Sequence, residues 1–157
     1  PEVKIEAHAL RLDDSNAKSL VAQYDLVADG SDNFATRYLL NDVCFRLRKP
    51  LVAAELSPFD GQLSTFKAYL GPPHPCYRCL FREPPPPDSV PRCETAGILG
   101  AIAGVMGTLQ ATEVLKELLG IGESLSGTLL VYDALRAGFH SIKLPRDPDC
   151  PTCGTKP

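Results

Sequence analysis

The sequence predicts a mixed α/β fold whose sheet is parallel at its start and antiparallel at its end. Three patterns carry that prediction. Strand-like and helix-like periodicities alternate through the first half, an Asp60-Gly61 pair separates two strand-like runs, and two further strand-like runs follow one long helical stretch. The composition agrees: 157 residues, 44% hydrophobic and 22% charged, make one domain with enough apolar material for a core. A net charge of −3 and no long basic block exclude a general attraction to nucleic acid or anionic membrane. The longest apolar-and-small run, Ala96 to Leu109, falls short of the ~20 residues that cross a bilayer and continues into Gln110, Thr112 and Glu113. The N-terminus shows no signal-peptide pattern, so a cytoplasmic setting is expected.

In chain order, residues 1–10 alternate Val3, Ile5, Ala7 and Ala9 with Glu2, Lys4, Glu6 and His8, the period of a half-buried strand. Leu12-Asp13-Asp14-Ser15 offers turn and cap residues before a short helix from Ala17 to Tyr24, and Asp25 to Asp29 reads as a buried strand, completing a βαβ unit. Asp29-Gly30-Ser31-Asp32-Asn33 opens a helix from Asn33 to about Arg48, with Leu39, Leu40, Val43, Cys44 and Leu47 on its apolar stripe and Pro50 as its stop. Leu51–Leu56 and Gln62–Leu70 read as hairpin strands around Ser57 to Gly61. Gly71 to Pro91, with Pro84 to Pro87 consecutive, excludes helix and interior strand. Thr95 to Leu119 reads as one long helix whose Gly97, Gly100, Gly104 and Gly107 predict close packing at a sheet or subunit interface. Thr128–Asp133 and Phe139–Leu144 finish as strands.

The most specific chemical signal is a pair of C-x-x-C motifs, Cys76/Cys79 and Cys150/Cys153, with 70 residues between them. Zinc takes four thiolates in a tetrahedron, and a two-residue spacer lets one turn supply one edge of it. Redox dithiols or disulfides share the spacing, but Pro75, Pro151 and the missing secretory pattern favour a closed, structural Zn²⁺ that clamps the Pro-rich loop to the tail. A second candidate is Asp32, expected beyond the carboxyl end of a parallel strand, where a carboxylate suits Mg²⁺ with phosphates and Arg37 one turn later reaches the same anion. The competing reading makes Asp32 an N-cap and Arg37 a solvated helix charge. Cys93 is a third candidate, because Arg92 and a following helix N-terminus would lower its thiol pKa, although a lone loop cysteine is often incidental. Cys44, on an apolar stripe, reads as core. No G-x-G-x-x-G and no G-x-x-x-x-G-K-[ST] occurs.

Asp25-Leu-Val-Ala-Asp-Gly-Ser-Asp-Asn33 with Arg37, Pro75-Cys-Tyr-Arg-Cys79, the Pro84–Pro87 run, Cys93-Glu-Thr-Ala-Gly-Ile-Leu-Gly100, Leu109-Gln-Ala-Thr-Glu-Val-Leu-Lys116 and Cys150-Pro-Thr-Cys153 together resemble the MoeB/ThiF family of ubiquitin-activating-like adenylyltransferases. The Pro-rich stretch and the place of Cys93 look most like its adenylyltransferase/sulfurtransferase branch. The resemblance implies a Rossmann-like sheet with a four-cysteine zinc site, residues 1–157 corresponding to the C-terminal part of the adenylation domain without its Gly-rich nucleotide-loop half. It implies ATP·Mg²⁺-dependent adenylation of the C-terminal glycine of a ubiquitin-like sulfur carrier, leading to a thiocarboxylate for molybdopterin, thiamine or tRNA thiolation. By position, Asp32 and Asn33 resemble the nucleotide and magnesium contacts, Cys76, Cys79, Cys150 and Cys153 the zinc ligands, and Cys93 the glycyl-accepting cysteine. The expected partners are the carrier protein and a second copy of the chain. A zinc-stabilised interaction module without catalysis is the alternative.

Overall fold

A computed structural model describes residues 2–86 and 97–155. Among these residues, five strands form one sheet in the order β1 (Val27–Asp29), β2 (Leu51–Leu56), β3 (Asp60–Phe66), β4 (Thr128–Asp133) and β5 (Gly138–Lys143). β1 lies parallel to β2, with Val27 opposite Leu51 and Asp29 opposite Ala53, and every later pairing is antiparallel. The expected change of strand direction is therefore present. The parallel crossover is made by β1, helix α2 (Phe34–Leu47) and β2.

The expected strand over residues 1–10 does not form among the described residues. Positions 2–10 are exposed, Val3 and Ile5 at 79% and 86%. A period-two pattern says which face a strand would bury, but a strand also needs a neighbouring backbone to take its hydrogen bonds, and β1 offers only three residues. Helix α1 is shorter than expected, Ala17–Val21, yet it buries Ala17 and Val21 against α2.

β2 is buried on both faces, which is why it reads as a nearly continuous apolar run. Leu51 and Ala53 face a core built with Tyr38 and Cys44 of α2, Phe66 of β3 and Tyr77. Val52 faces the opposite core with Leu63, Ile102 and Met106. Burial pushes the Cys44 thiol up to about 12, which fits its expected place in the core.

The hairpin turn differs from the expected one. Ser57 N–H donates to Asp60 O at 2.9 Å, and Gly61 already pairs with Leu56, so Asp60 and Gly61 open β3 and do not form the loop tip. Gly61 is needed for another reason: a Cβ there would stand 2.3 Å from Met106 Cγ. β3 ends at Phe66, and a 3-10 turn spans Ala68–Leu70.

A short helix, α3 (Tyr77–Leu80), interrupts the Pro-rich segment that was expected to lack helix. None of residues 76–80 is proline, so the exclusion holds only for the prolines themselves. Tyr77 stacks edge-on with Tyr38 and Phe66, ring centroids 5.5 and 5.7 Å apart.

The long helix, α4 (Gly100–Leu119), covers the second core through Ile102 and Met106. Its glycines do not pack against the sheet, one of the two interfaces expected of them. Added Cβ atoms at Gly100, Gly104 and Gly107 would meet nothing within 4 Å, because these positions fall on a separate helical stripe from Ile102 and Met106. Gly97 precedes the helix with φ +71°.

Candidate functional site

A cavity of about 230 Å³ opens at the carboxyl ends of β1 and β2, lined by Gly30, Ser31, Asp32, Arg37, Met106 and Gln110 among others. The loop after β1 is held from several sides. The buried Asp29 carboxylate accepts the Ser31 N–H at 2.8 Å, an Asx-type turn that short acidic side chains make readily. Asn33 has extended backbone, and its Oδ1 accepts the Thr36 N–H at 2.9 Å, so Asn33 is the N-cap of α2. Asp32 is thereby released from capping. It is exposed, and among the described residues its carboxylate receives one hydrogen bond, from Asn33 Nδ2 at 3.4 Å.

Arg37 is not a solvated helix charge. It is 8% exposed, donates from Nε and Nη2 to Ser31 O at 3.2 and 2.9 Å, and donates from Nη1 to Glu55 Oε2 at 2.7 Å. Its guanidinium also lies 5.3 Å from the centroid of the Phe34 ring. Burial pushes the Glu55 carboxyl up, while the Arg37 charge draws it down, with the upward shift prevailing. Gln110 of α4 donates to Asp29 O at 2.8 Å and Val52 O at 3.0 Å, fastening α4 to both β1 and β2. Glu55 and Gln110 were not singled out from sequence. A glutamate inside Leu51-Val-Ala-Ala-Glu-Leu56 is a visible anomaly, but its partner lies 18 positions away.

The four paired cysteines converge. Their sulfur atoms all lie within 4.8 Å of one another, with Cys76–Cys150 at 3.5 Å, Cys79–Cys153 at 3.4 Å and Cys76–Cys79 at 4.0 Å. A disulfide would require about 2.05 Å. A tetrahedron with ~2.3 Å metal–sulfur bonds has edges of roughly 3.8 Å, so the donor set fits a metal ion that takes four thiolates. Hydrogen bonds from Cys153 and Cys76, joined by backbone N–H groups of Asp147 and Cys76, hold the Cys79 thiol well below the usual range. Gly154 closes the second knuckle: its N–H donates to Cys150 O at 2.8 Å, and a Cβ there would lie 2.5 Å from that oxygen.

The knuckles are tied to the rest of the fold by charged side chains. Asp42 of α2 accepts from Arg78 between the first cysteines, at 3.1 and 3.3 Å, and from Thr152 between the second, at 2.8 Å. Burial alone would push the Asp42 carboxyl up, but hydrogen bonds from Arg78, Thr152 and Asn41 outweigh it and leave it below the usual range. Arg146 donates to Ala68 O at 2.7 Å, to His74 O at 3.1 Å and to Cys153 O. Of the residues expected to carry chemistry, Asp32 and Arg37 thus line one cavity, with Asn33 capping α2 beside it, and the four cysteines meet at a second place. Cys93 lies outside the described residues.

The ThiF family model matches residues 1–152. The chain belongs to the ThiF family. Among ThiF relatives, a sulfur carrier protein adenylyltransferase of Thermus thermophilus is 50% identical over 159 residues, aligned with 100% of this chain and 59% of its own length. The SAMP-activating enzyme E1 of Haloferax volcanii is 49% identical, with 98% of this chain and 56% of the enzyme covered. The adenylyltransferase and sulfurtransferase MOCS3 of Anopheles gambiae is 47% identical, with 99% and 35% covered. The chain therefore spans about half the length, or less, of the relatives it matches. Crystal structures of E. coli MccB share the fold: MccB with MccA-N7isoASN superposes with a TM-score of 0.75 at 19% identity over 94% of this chain and 46% of MccB, and MccB with ATP at 0.72 and 18% over 93% and 45%. Among the described residues, no helix is long and apolar enough to cross a membrane.

Proposed function

We propose that this chain is the metal-binding and carrier-facing part of an ATP-dependent adenylyltransferase acting on the C-terminal glycine of a ubiquitin-like sulfur-carrier protein, a reaction that leads to a thiocarboxylate for molybdopterin, thiamine or tRNA thiolation. The observation that carries the reading is the Asp32 carboxylate, freed from capping by Asn33 and facing a cavity at the carboxyl end of a parallel strand, in a chain half identical to a sulfur carrier protein adenylyltransferase. Asp32 would hold Mg²⁺ on the phosphates of ATP, and the cation when bound neutralises charge that develops as pyrophosphate leaves. Asn33 orients both α2 and the Asp32 carboxylate. Cys76, Cys79, Cys150 and Cys153 would hold a structural Zn²⁺, whose closed coordination leaves no position for substrate. Free thiols at these positions suit a reducing, cytoplasmic setting.

Cys93 is the proposed acceptor of the activated glycyl group in the step after adenylation. A second copy of the chain is the proposed occupant of the outer face of α4. There Ala101, Gly104, Leu115 and Leu118 are exposed, and Thr108 and Thr112 turn their hydroxyls back to helix carbonyls, so the face carries no charge and little free polarity.

Asp32→Ala in the enzyme that contains this chain tests the reading. Carrier-dependent ATP–pyrophosphate exchange should fall by at least about a hundredfold with the fold intact. Cys93→Ala should leave exchange near normal and abolish a covalent carrier adduct on a non-reducing gel. The alternative, an interaction module without catalysis, is favoured by the commitment of Arg37 to Ser31 and Glu55, and it requires wild-type exchange after Asp32→Ala.

A further inference from the structure

We infer that Glu55 is a positioning residue for the Asp32 site: it holds the Arg37 guanidinium against the Ser31 carbonyl and so fixes the peptide from which Asp32 projects. The inference rests on the reading of the cavity proposed above. Its geometry is a relay of short contacts. Glu55 Oε2 takes Nη1 of Arg37 at 2.7 Å, Arg37 places two further N–H groups on Ser31 O, and the Ser31 N–H is held by Asp29. The peptide groups on both sides of Ser31 are therefore pinned, and Asp32 is the next residue. Phe34 bears on the guanidinium from the side, leaving it little room to swing.

A stabilising role alone is a poor account of this pair. Its side chains are 10% and 17% exposed, and two charges taken that far from water recover their desolvation only where geometry is close and the remaining donors are satisfied. An apolar pair of equal volume would fill the space equally well. It could not present two N–H donors to a carbonyl at a fixed angle. Glu55 itself sits on β2, paired with Gln62 of β3, so the relay begins on a rigid element and ends on a loop, the direction in which a scaffold transmits precision to a site.

The test uses the whole enzyme containing this chain and carrier-dependent ATP–pyrophosphate exchange. Glu55→Gln keeps the volume and removes the charge; kcat should fall about tenfold while the KM for the carrier stays within about twofold. The double variant Arg37→Met with Glu55→Leu replaces the ion pair by apolar side chains. It should unfold at a temperature no lower than Glu55→Gln and still show the kcat loss, a combination that a merely structural role does not produce. Wild-type kcat in the double variant overturns the inference, as does a loss that tracks the unfolded fraction. Asp32→Ala separates this failure from a broader one. If Asp32→Ala abolishes exchange while the double variant keeps it, only the positioning role falls; if Asp32→Ala keeps exchange, the reading of the cavity falls with it.

Discussion

The cysteine centre and the Asp32 cavity both lean on α2, but they are finished to different degrees. At the cysteine centre, two backbone N–H groups reach Cys79, Asp42 and Arg146 brace the flanking turns, and Gly154 lets the last knuckle close on itself. At the cavity, Asp32 has one hydrogen bond among the described residues, and the neighbouring glycine positions of α4 face open space. A site built to hold its occupant permanently saturates its own donors and acceptors. One built for a ligand that comes and goes leaves some of them free.

The largest expected effect follows from breaking the closed centre. Cys76→Ser, or a strong chelator on the wild-type chain, should release the metal and lower the unfolding midpoint by well over ten degrees, because structural zinc contributes on the order of 10 kcal/mol of apparent binding energy to folding. Elemental analysis alongside thermal unfolding checks this, and a chain that keeps its midpoint without metal would show the two sites to be equally dispensable to the fold. Asp32→Ala should do the reverse, with exchange down at least about a hundredfold and the midpoint within about two degrees.

The braces come next. Asp42→Asn should cost about 1–3 kcal/mol, read from denaturant unfolding near pH 7. The folded Asp42 carboxyl sits below its unfolded value, so its contribution is full above roughly pH 3.9 and is lost as pH falls through the folded value; the variant should show a shallower loss of stability in that acid range than wild type. Asn33→Ala should cost about 1 kcal/mol through the lost cap at α2. The smallest effect belongs to Gly104→Ala: with a second copy on the outer face of α4 it should lower the midpoint and the mass measured by light scattering, whereas a rise in helix stability of up to about 1 kcal/mol would show that face to be open.

The cysteine centre was legible because the information is local. A two-residue spacer repeated twice defines both the metal chemistry and the loop-to-tail clamp, whatever the fold between them. Asp32 at a strand end and the parallel-to-antiparallel order were legible for the same reason, being written in short runs of periodicity. What escaped depends on partners far along the chain. Thr152 meets Asp42 across 110 positions, and Arg37 meets Glu55 across 18, so composition at either end says only that a polar or charged side chain is present. Residues 2–10 show the complementary failure, a strand period without a strand among the described residues. The glycines of α4 show another: their spacing predicts packing at a sheet or subunit interface without saying which, and Gly100, Gly104 and Gly107 lie on a stripe apart from the one that carries Ile102 and Met106 to the sheet.

Helix α2 has a mechanical consequence. Asn33 caps its first turn beside the cavity, and Asp42, nine residues on and therefore about 14 Å further along the axis, is bolted to both cysteine turns. Over that distance an α-helix behaves as a strut: it transmits a tilt at one end to the other and absorbs little of it. Any slackening of the cysteine knuckles would thus arrive at the loop after β1 as a displacement of the Asp32 carboxylate, without a single side chain in the cavity having been altered.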